Sequence, residues 1–147
     1  MRVAFVDLKA QYASIKPEID RALAEVIADC AFIGGKYATR FEQEFAAYLG
    51  RRHCVGVANG TDAIYTALKG LGLGPGDEVI TAANTFIATA EGITATGAEV
   101  VYVDNDPRYY NLDPTRIEAA ITKNTRAIVP VHLYGQPCDM EPILEIA

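Results

Sequence analysis

An α/β fold built on a mostly parallel sheet flanked by helices is predicted by three observations in this 147-residue chain. Short β-branched runs recur with helical patterns between them. Residues 54–57, 78–81, 99–103 and 126–131 read as strands; 61–71, 86–96, 114–121 and the residues from Asp139 onward read as helices. The strand runs also lack polar–apolar alternation, as expected of strands covered on both faces. Finally, the links are short. Leu73-Gly74-Pro75-Gly76-Asp77 is a turn in which proline fixes one φ and glycine accepts the others, and Asp104-Asn105-Asp106-Pro107 breaks the chain after the third strand.

The first third of the chain is helical in pattern. Pro17 sits where a helix can start, and Ile19, Leu23, Val26, Ile27 and Cys30 follow at three- and four-residue spacing. Phe32-Ile33-Gly34-Gly35 interrupts the pattern with a sharp turn. A second amphipathic helix is predicted over 39–49, with Phe41, Phe45, Tyr48 and Leu49 on one side and Gly50 as its stop. Thr39 followed by Glu42 has the spacing of a capping box. This divides the chain into a helical segment, 1–52, and the first part of an α/β domain, 53–147.

Composition excludes several function classes. Thirteen basic against nineteen acidic residues give a net charge of −6, a poor match for a protein that must neutralise phosphates along nucleic acid. Half the residues are hydrophobic and the mean hydropathy is +0.10, so a packed soluble chain is expected. The longest charge-free runs, 79–90 and 127–138, are twelve residues each, well short of the roughly 20 a membrane span needs. The stretch from Met1 to Asp7 meets a charge too early for a secretory leader, so a cytoplasmic location is expected. Cys30, Cys54 and Cys138 are odd in number and widely spaced, and His53 and His132 are the two histidines. Free thiols and no metal site are the expectation.

Three segments after predicted strands are candidates for chemistry. Ala58-Asn59-Gly60-Thr61-Asp62-Ala63 opens a helix, where unpaired N–H groups and the positive end of the dipole attract phosphate. Taken alone it reads more readily as a capped turn. Asn84-Thr85-Phe86 places an aromatic at a strand's carboxyl end, where it either stacks on a flat heteroaromatic ligand or starts a helix and packs on its neighbour. His132 follows the fourth strand, and without a nucleophile beside it a structural role is expected.

The order of segments narrows these alternatives. Asp7-Leu8-Lys9, Phe32-Ile33-x-Gly35, Ala58-Asn59-Gly60-Thr61-Asp62-Ala63, Gly74-Pro75-Gly76-Asp77-Glu78-Val79 and Thr85-Phe86-x-Ala88-Thr89 occur in series. Tyr102-Val103-Asp104, Tyr110-Asn111-Leu112-Asp113 and Pro130-Val131-His132-Leu133-Tyr134-Gly135 complete it. Together they resemble the pyridoxal-phosphate-dependent nucleotide-sugar aminotransferases of the DegT/DnrJ/EryC1/StrS family. Within it the chain looks most like enzymes that aminate UDP-linked 3-keto-N-acetylglucosaminuronic acid for bacterial surface polysaccharide and lipopolysaccharide. The resemblance implies the N-terminal part of the large domain of a fold-type I (aspartate aminotransferase-like) enzyme, with pyridoxal 5'-phosphate (PLP) as cofactor. It implies that Gly60, Thr61 and Asp62 hold the cofactor's phosphate and that Phe86 stacks on its pyridine ring. Phe32 and Gly34 fall in a segment near the substrate cleft, and His132 receives no catalytic role.

The family also needs a Schiff-base lysine and a carboxylate against the pyridine nitrogen. Lys9, Lys16, Lys36, Lys69 and Lys123 match no such motif, so both groups are expected beyond Ala147 and no catalytic residue is assigned here. An amino donor such as glutamate, a nucleotide-linked keto sugar and a homodimer are the partners implied, with no role for nucleic acid or membrane. Two other readings stand beside this one. Relatives that carry histidine in place of the lysine work as sugar dehydratases, and a truncated chain could act as a non-catalytic binding or dimerisation module.

Overall fold

The computed structural model describes residue 3 and residues 5–147; Met1, Arg2 and Ala4, part of the stretch read for a leader, lie outside it. The chain forms two compact units, Met1–Gly56 and Val57–Ala147. The first holds two helices. Helix α1, Leu8–Ala28, starts where the Asp7 carboxylate accepts from the Ala10 N–H at 3.0 Å. It begins nine residues before Pro17, which lies inside the helix and not at its start. The ring removes one backbone donor. Asp20 spans the gap, accepting from the Tyr12 hydroxyl and pairing with Lys16 on the same face. No α1 residue is buried, and its stripe of Leu8, Tyr12, Ile15, Ile19, Leu23 and Ile27 is exposed.

Helix α2, Lys36–Tyr48, begins three residues earlier than the predicted 39–49. Gly34 and Gly35 take φ of +61° and +80°, which lets the chain reverse and start a helix at once. Thr39 therefore lies within the first turn, its N–H on the Gly35 carbonyl, and makes no capping box. Glu42 instead accepts from the Gly56 N–H at 2.7 Å.

The second unit carries helix α3, Gly60–Gly70, strand β1, Glu78–Ala82, helix α4, Ile87–Thr94, and strand β2, Glu99–Val103. A 3-10 turn, Pro114–Arg116, leads into the short helix α5, Ile117–Ala120; strand β3, Thr125–Val129, and helix α6, Met140–Ile146, follow. The sheet order is β2-β1-β3 and both pairings are parallel, with Ile80 opposite Val101 and Ile128. The predicted strand at 54–57 does not form. Val55 and Val57 are exposed, the strands of the sheet are β1 to β3, and the Gly56 N–H is committed to a carboxylate instead of a ladder.

Alternation along the strands sends side chains into two cores. Val79, Val100, Ala127 and Val129 pack with Ile64, Leu68, Leu73, Ile93 and Ala98 under α3 and α4. Ile80, Ala82, Val101, Val103 and Ile128 pack with Leu112, Ile117, Cys138 and Ile143 under α5 and α6. Each fully buried Ile or Leu contributes about 1.5–3 kcal/mol. The Thr81 hydroxyl, buried in the first of these layers, donates to the Val129 carbonyl at 2.8 Å and so ties the ends of β1 and β3 together. Helix α3 packs along α4, with Gly92 against Ile64 and Tyr65, and just past the end of α4 the Lys69 ammonium donates to the Thr96 carbonyl at 3.4 Å. Residue numbers rise together between these points, so the two helices run side by side in the same direction.

The glycines of these helices test the packing through opposite signs. A Cβ at Gly92 would stand 2.7 Å from Ile64 Cγ2 and 3.2 Å from the Tyr65 nitrogen, whereas one at Gly70 meets open space. Gly92→Ala is expected to lower stability by roughly 1–3 kcal/mol, because overpacking outweighs alanine's helix preference. Gly70→Ala is expected to be neutral or stabilising by up to about 1 kcal/mol. Urea denaturation decides; a Gly92→Ala protein as stable as its parent would refute the close contact.

Candidate functional site

Every strand of the second unit points its carboxyl end to the same edge, and the links that follow β1, β2 and β3 gather there. Helix α4 starts at this edge, directly after β1. Since α3 runs alongside α4 in the same sense, its N-terminus lies at this edge too. Such an edge is where open parallel sheets bind ligands.

At the start of α3, Asn59 is the N-cap. Its side-chain oxygen accepts from the Asp62 N–H at 2.9 Å and its amide donates to the Asp62 carboxylate at 3.3 Å. The cap consumes one of the free N–H groups. Those of Gly60 and Thr61, with the Thr61 hydroxyl, have no partner among the described residues. A Cβ at Gly60 would meet nothing within 4 Å, so the approach to these donors is open. This arrangement fits a phosphate. Asp62 carries an acceptor-only carboxylate, so its part is to lock the cap that aims Gly60 and Thr61.

Phe86 is the N-cap of α4, extended in backbone and 72% exposed. The Thr85 and Thr89 hydroxyls meet at 2.8 Å across it, and the Thr89 N–H donates to the Phe86 carbonyl at 3.0 Å. The ring is thus presented to solvent on a fixed turn and does not pack on its neighbour. The edge therefore brings together an open set of phosphate donors and an exposed aromatic face, the two features a phosphorylated pyridine requires. Phe32 and Gly34 belong to the first unit, in the turn before α2, where Phe32 is exposed.

The lysines of the second unit are Lys69 and Lys123. Lys69 closes α3 and Lys123 precedes β3, so both sit at the amino edge, opposite the site. His132 accepts from the Cys138 N–H at its Nδ1 (3.0 Å), a backbone contact that suits a structural role. Burial pushes the Cys138 thiol up in pKa, and it donates to the Val131 carbonyl. Among the described residues no group of three or more His, Cys, Asp or Glu is arranged to hold a metal ion. Among the described residues no helix is long and apolar enough to cross a membrane.

Sequence reasoning missed the asparagines that fix the edge. Asn84 and Asn105 both donate to the Tyr110 carbonyl, at 2.9 and 2.7 Å, and hold that residue at φ +60°. Buried Asn111 links the β2 loop to the turn after β3. The Asn84 and Asn111 bonds join the loops of different strands, while the Asn105 bond closes the β2 loop on itself, and only the polar type in a post-strand link hints at them.

In the same loop, Asp106 accepts from Arg108 Nη2 (2.6 Å), Nε (3.1 Å) and backbone N–H (2.7 Å). Chiefly through the guanidinium, its carboxyl is lowered to about 2. A carboxyl depressed in the folded state stabilises fully above its unfolded pKa, near 4, and loses that contribution as pH falls through the folded value. The expected carbon-13 titration midpoint of Asp106 is about 2, so the clasp is complete at neutral pH. A midpoint near 4 would mean that the clasp does not form in solution.

Known proteins similar to this chain are found by sequence and by structure. The chain is 52% identical over its whole length to a protein of Geobacillus stearothermophilus named a pleiotropic regulatory protein, of which it covers 40%. It is 49% identical over 145 residues, 99% of the chain, to the UDP-2-acetamido-2-deoxy-3-oxo-D-glucuronate aminotransferase of Pseudomonas aeruginosa, again covering 40% of that protein. NtdA of Bacillus subtilis, solved with bound cofactor PMP, superposes with a TM-score of 0.93 at 41% identity, over 99% of this chain and 34% of that one. The chain thus spans about 40% of the length of the curated relatives it matches. Its fold is that of fold-type I PLP enzymes. With the family model matching residues 13–147, the chain belongs to the DegT/DnrJ/EryC1/StrS aminotransferase family.

Proposed function

We propose that this chain is the cofactor-gripping part of a PLP-dependent aminotransferase that moves an amino group, from a donor such as glutamate, to the keto group of a nucleotide-linked sugar. The observation that carries the reading is the pairing, at one sheet edge, of the open Gly60–Thr61 N-terminus with the exposed Phe86 ring. When bound, the cofactor supplies an electron sink and carries the amino group between donor and acceptor. The chain's own residues bind and orient it. The Gly60 and Thr61 N–H groups and the Thr61 hydroxyl take the phosphate, Asp62 and Asn59 keep that turn in shape, and Phe86 covers one face of the ring.

Lys69 and Lys123 lie at the far edge, so the reactive amine, with the carboxylate for the pyridine nitrogen, comes from outside this unit. Phe32 and Gly34 serve the substrate side. The likeness to the Pseudomonas aeruginosa enzyme favours a UDP-linked 3-keto sugar acid, and hence a place in surface-polysaccharide synthesis. A cytoplasmic homodimer fits this reading.

The test uses the full-length protein and the absorbance of added PLP. Thr61→Ala and Phe86→Ala are each expected to weaken cofactor binding by roughly ten- to a hundredfold, from one charged hydrogen bond or one ring contact. Gly60→Val is expected to abolish tight binding while the cofactor-free protein melts as the parent does, because the space at Gly60 is open. Addition of glutamate should shift the cofactor's absorbance in the parent protein. A parent that binds no PLP, or a Gly60→Val protein that binds as tightly as the parent, would overturn the reading.

A further inference from the structure

Asn111 lies in the loop after β2 and is 4% exposed. Its side-chain amide is spent on one neighbour, the turn that follows β3. Nδ2 donates to the Gln136 carbonyl at 2.9 Å, and Oδ1 accepts from the Leu133 N–H at 3.2 Å. Between these two anchors sit Tyr134 at φ +54° and Gly135 at φ +81°. A tyrosine in the left-handed region is strained, and such backbone persists only where the surroundings over-determine it. The Asn111 loop is held in turn: the carbonyl of Tyr110 accepts from Asn84 and Asn105, and the Asp106 N–H donates to the Asn111 carbonyl at 3.0 Å.

The turn after β3 stands beside the link that carries Phe86, since β1 and β3 are neighbours whose ends are tied by Thr81. The Asn111 amide therefore joins the β2 loop to the turn after β3, and Asn84 joins the β1 link to that same β2 loop at the residue before Asn111. A neutral amide suits this position, because it gives one donor and one acceptor without the cost of burying a charge.

We propose that Asn111 is a positioning residue for the reaction at this edge, acting by holding the Leu133–Gln136 turn in its strained shape. The inference rests on the aminotransferase reading above. Asn111→Asp probes it without changing side-chain size. The carboxylate keeps the acceptor for the Leu133 N–H but sets a second acceptor against the Gln136 carbonyl oxygen. Protonation restores the donor, so acidification rescues the clamp in this variant alone.

The experiment uses the full-length protein with PLP, and glutamate as the probe. In N111D at about pH 8, kcat/KM for the glutamate-driven absorbance change is expected to fall roughly tenfold or more, the scale of one buried hydrogen bond left unmade. Towards about pH 5.5 the deficit relative to the parent should shrink as the acid protonates. Deuterium uptake should rise in residues 132–136 and not across the sheet. Unchanged kinetics, unchanged uptake in the turn, or a loss that tracks the melting temperature with no recovery on acidification would each overturn the proposal. A parent protein without any glutamate-dependent change fails the aminotransferase reading and takes this proposal with it. An active parent with an unaffected variant fails the proposal alone.

Discussion

The parallel pairing of β1 on both its edges is the constraint on which the second unit depends. A strand flanked on both sides by parallel partners can be joined to them only by crossovers, and each crossover carries the chain back over a face of the sheet. The α4 crossover covers one face and the α5 crossover the other, so the sheet acquires two cores. All three carboxyl ends then meet at one edge. Helix N-termini, free N–H groups and polar links collect there because no backbone partner is available for them. The amino edge receives the helix C-termini and, with them, Lys69. The candidate site and the lysines of this unit are thus set at opposite edges by the topology.

Holding that edge requires strain and neutral polarity together. Tyr110 and Tyr134 occupy left-handed backbone without being glycine; the Tyr110 carbonyl accepts from Asn84 of the β1 link and Asn105 of its own loop, and Asn111 holds the residues on either side of the Tyr134–Gly135 pair. Charged groups are used differently. Arg108 is turned onto Asp106 within its own loop and lies over the Tyr109 ring, so this pair shapes the loop and leaves the inter-loop ties to asparagine. A carboxamide that serves as donor and acceptor at once joins two backbones with one side chain. A carboxylate in the same place would leave two oxygens opposed.

How much of this was legible in the sequence depends on the range of the interaction. Strand 99–103 and the Gly74–Asp77 turn are found where the pattern puts them, because β-branched runs and a Pro-Gly pair act over a few residues. Helix ends moved by one to three residues where glycine or a cap competed, as at Gly35. The predicted strand at 54–57 failed because a strand exists only through its neighbours, and composition alone does not supply them. Pro17 reads locally as a helix start, yet Asp7 provides an earlier cap. The family was legible through the order of its motifs and not through any single one. The Asn111 clamp was not, since its bonds join residues 22 and 25 positions apart.

At the start of α3 the groups that complete the helix cap are distinct from the donors left free. Asn59 satisfies the Asp62 N–H, and the Asp62 carboxylate, close to the helix's positive end, satisfies the Asn59 amide. These two residues complete the cap, so the helix needs nothing further to begin. The Gly60 and Thr61 donors are surplus to that cap, and the space above Gly60 is open. A side chain at position 60 would thus leave the helix intact and obstruct whatever approaches it. With the Asp62 carboxylate beside it, an anion bound at this turn, as proposed above, would be held by oriented dipoles and a hydroxyl and not by net positive charge. Such a site would favour a ligand whose phosphate is delivered in a fixed direction, and in the proposed function the exposed face of Phe86 at the same edge would supply that direction.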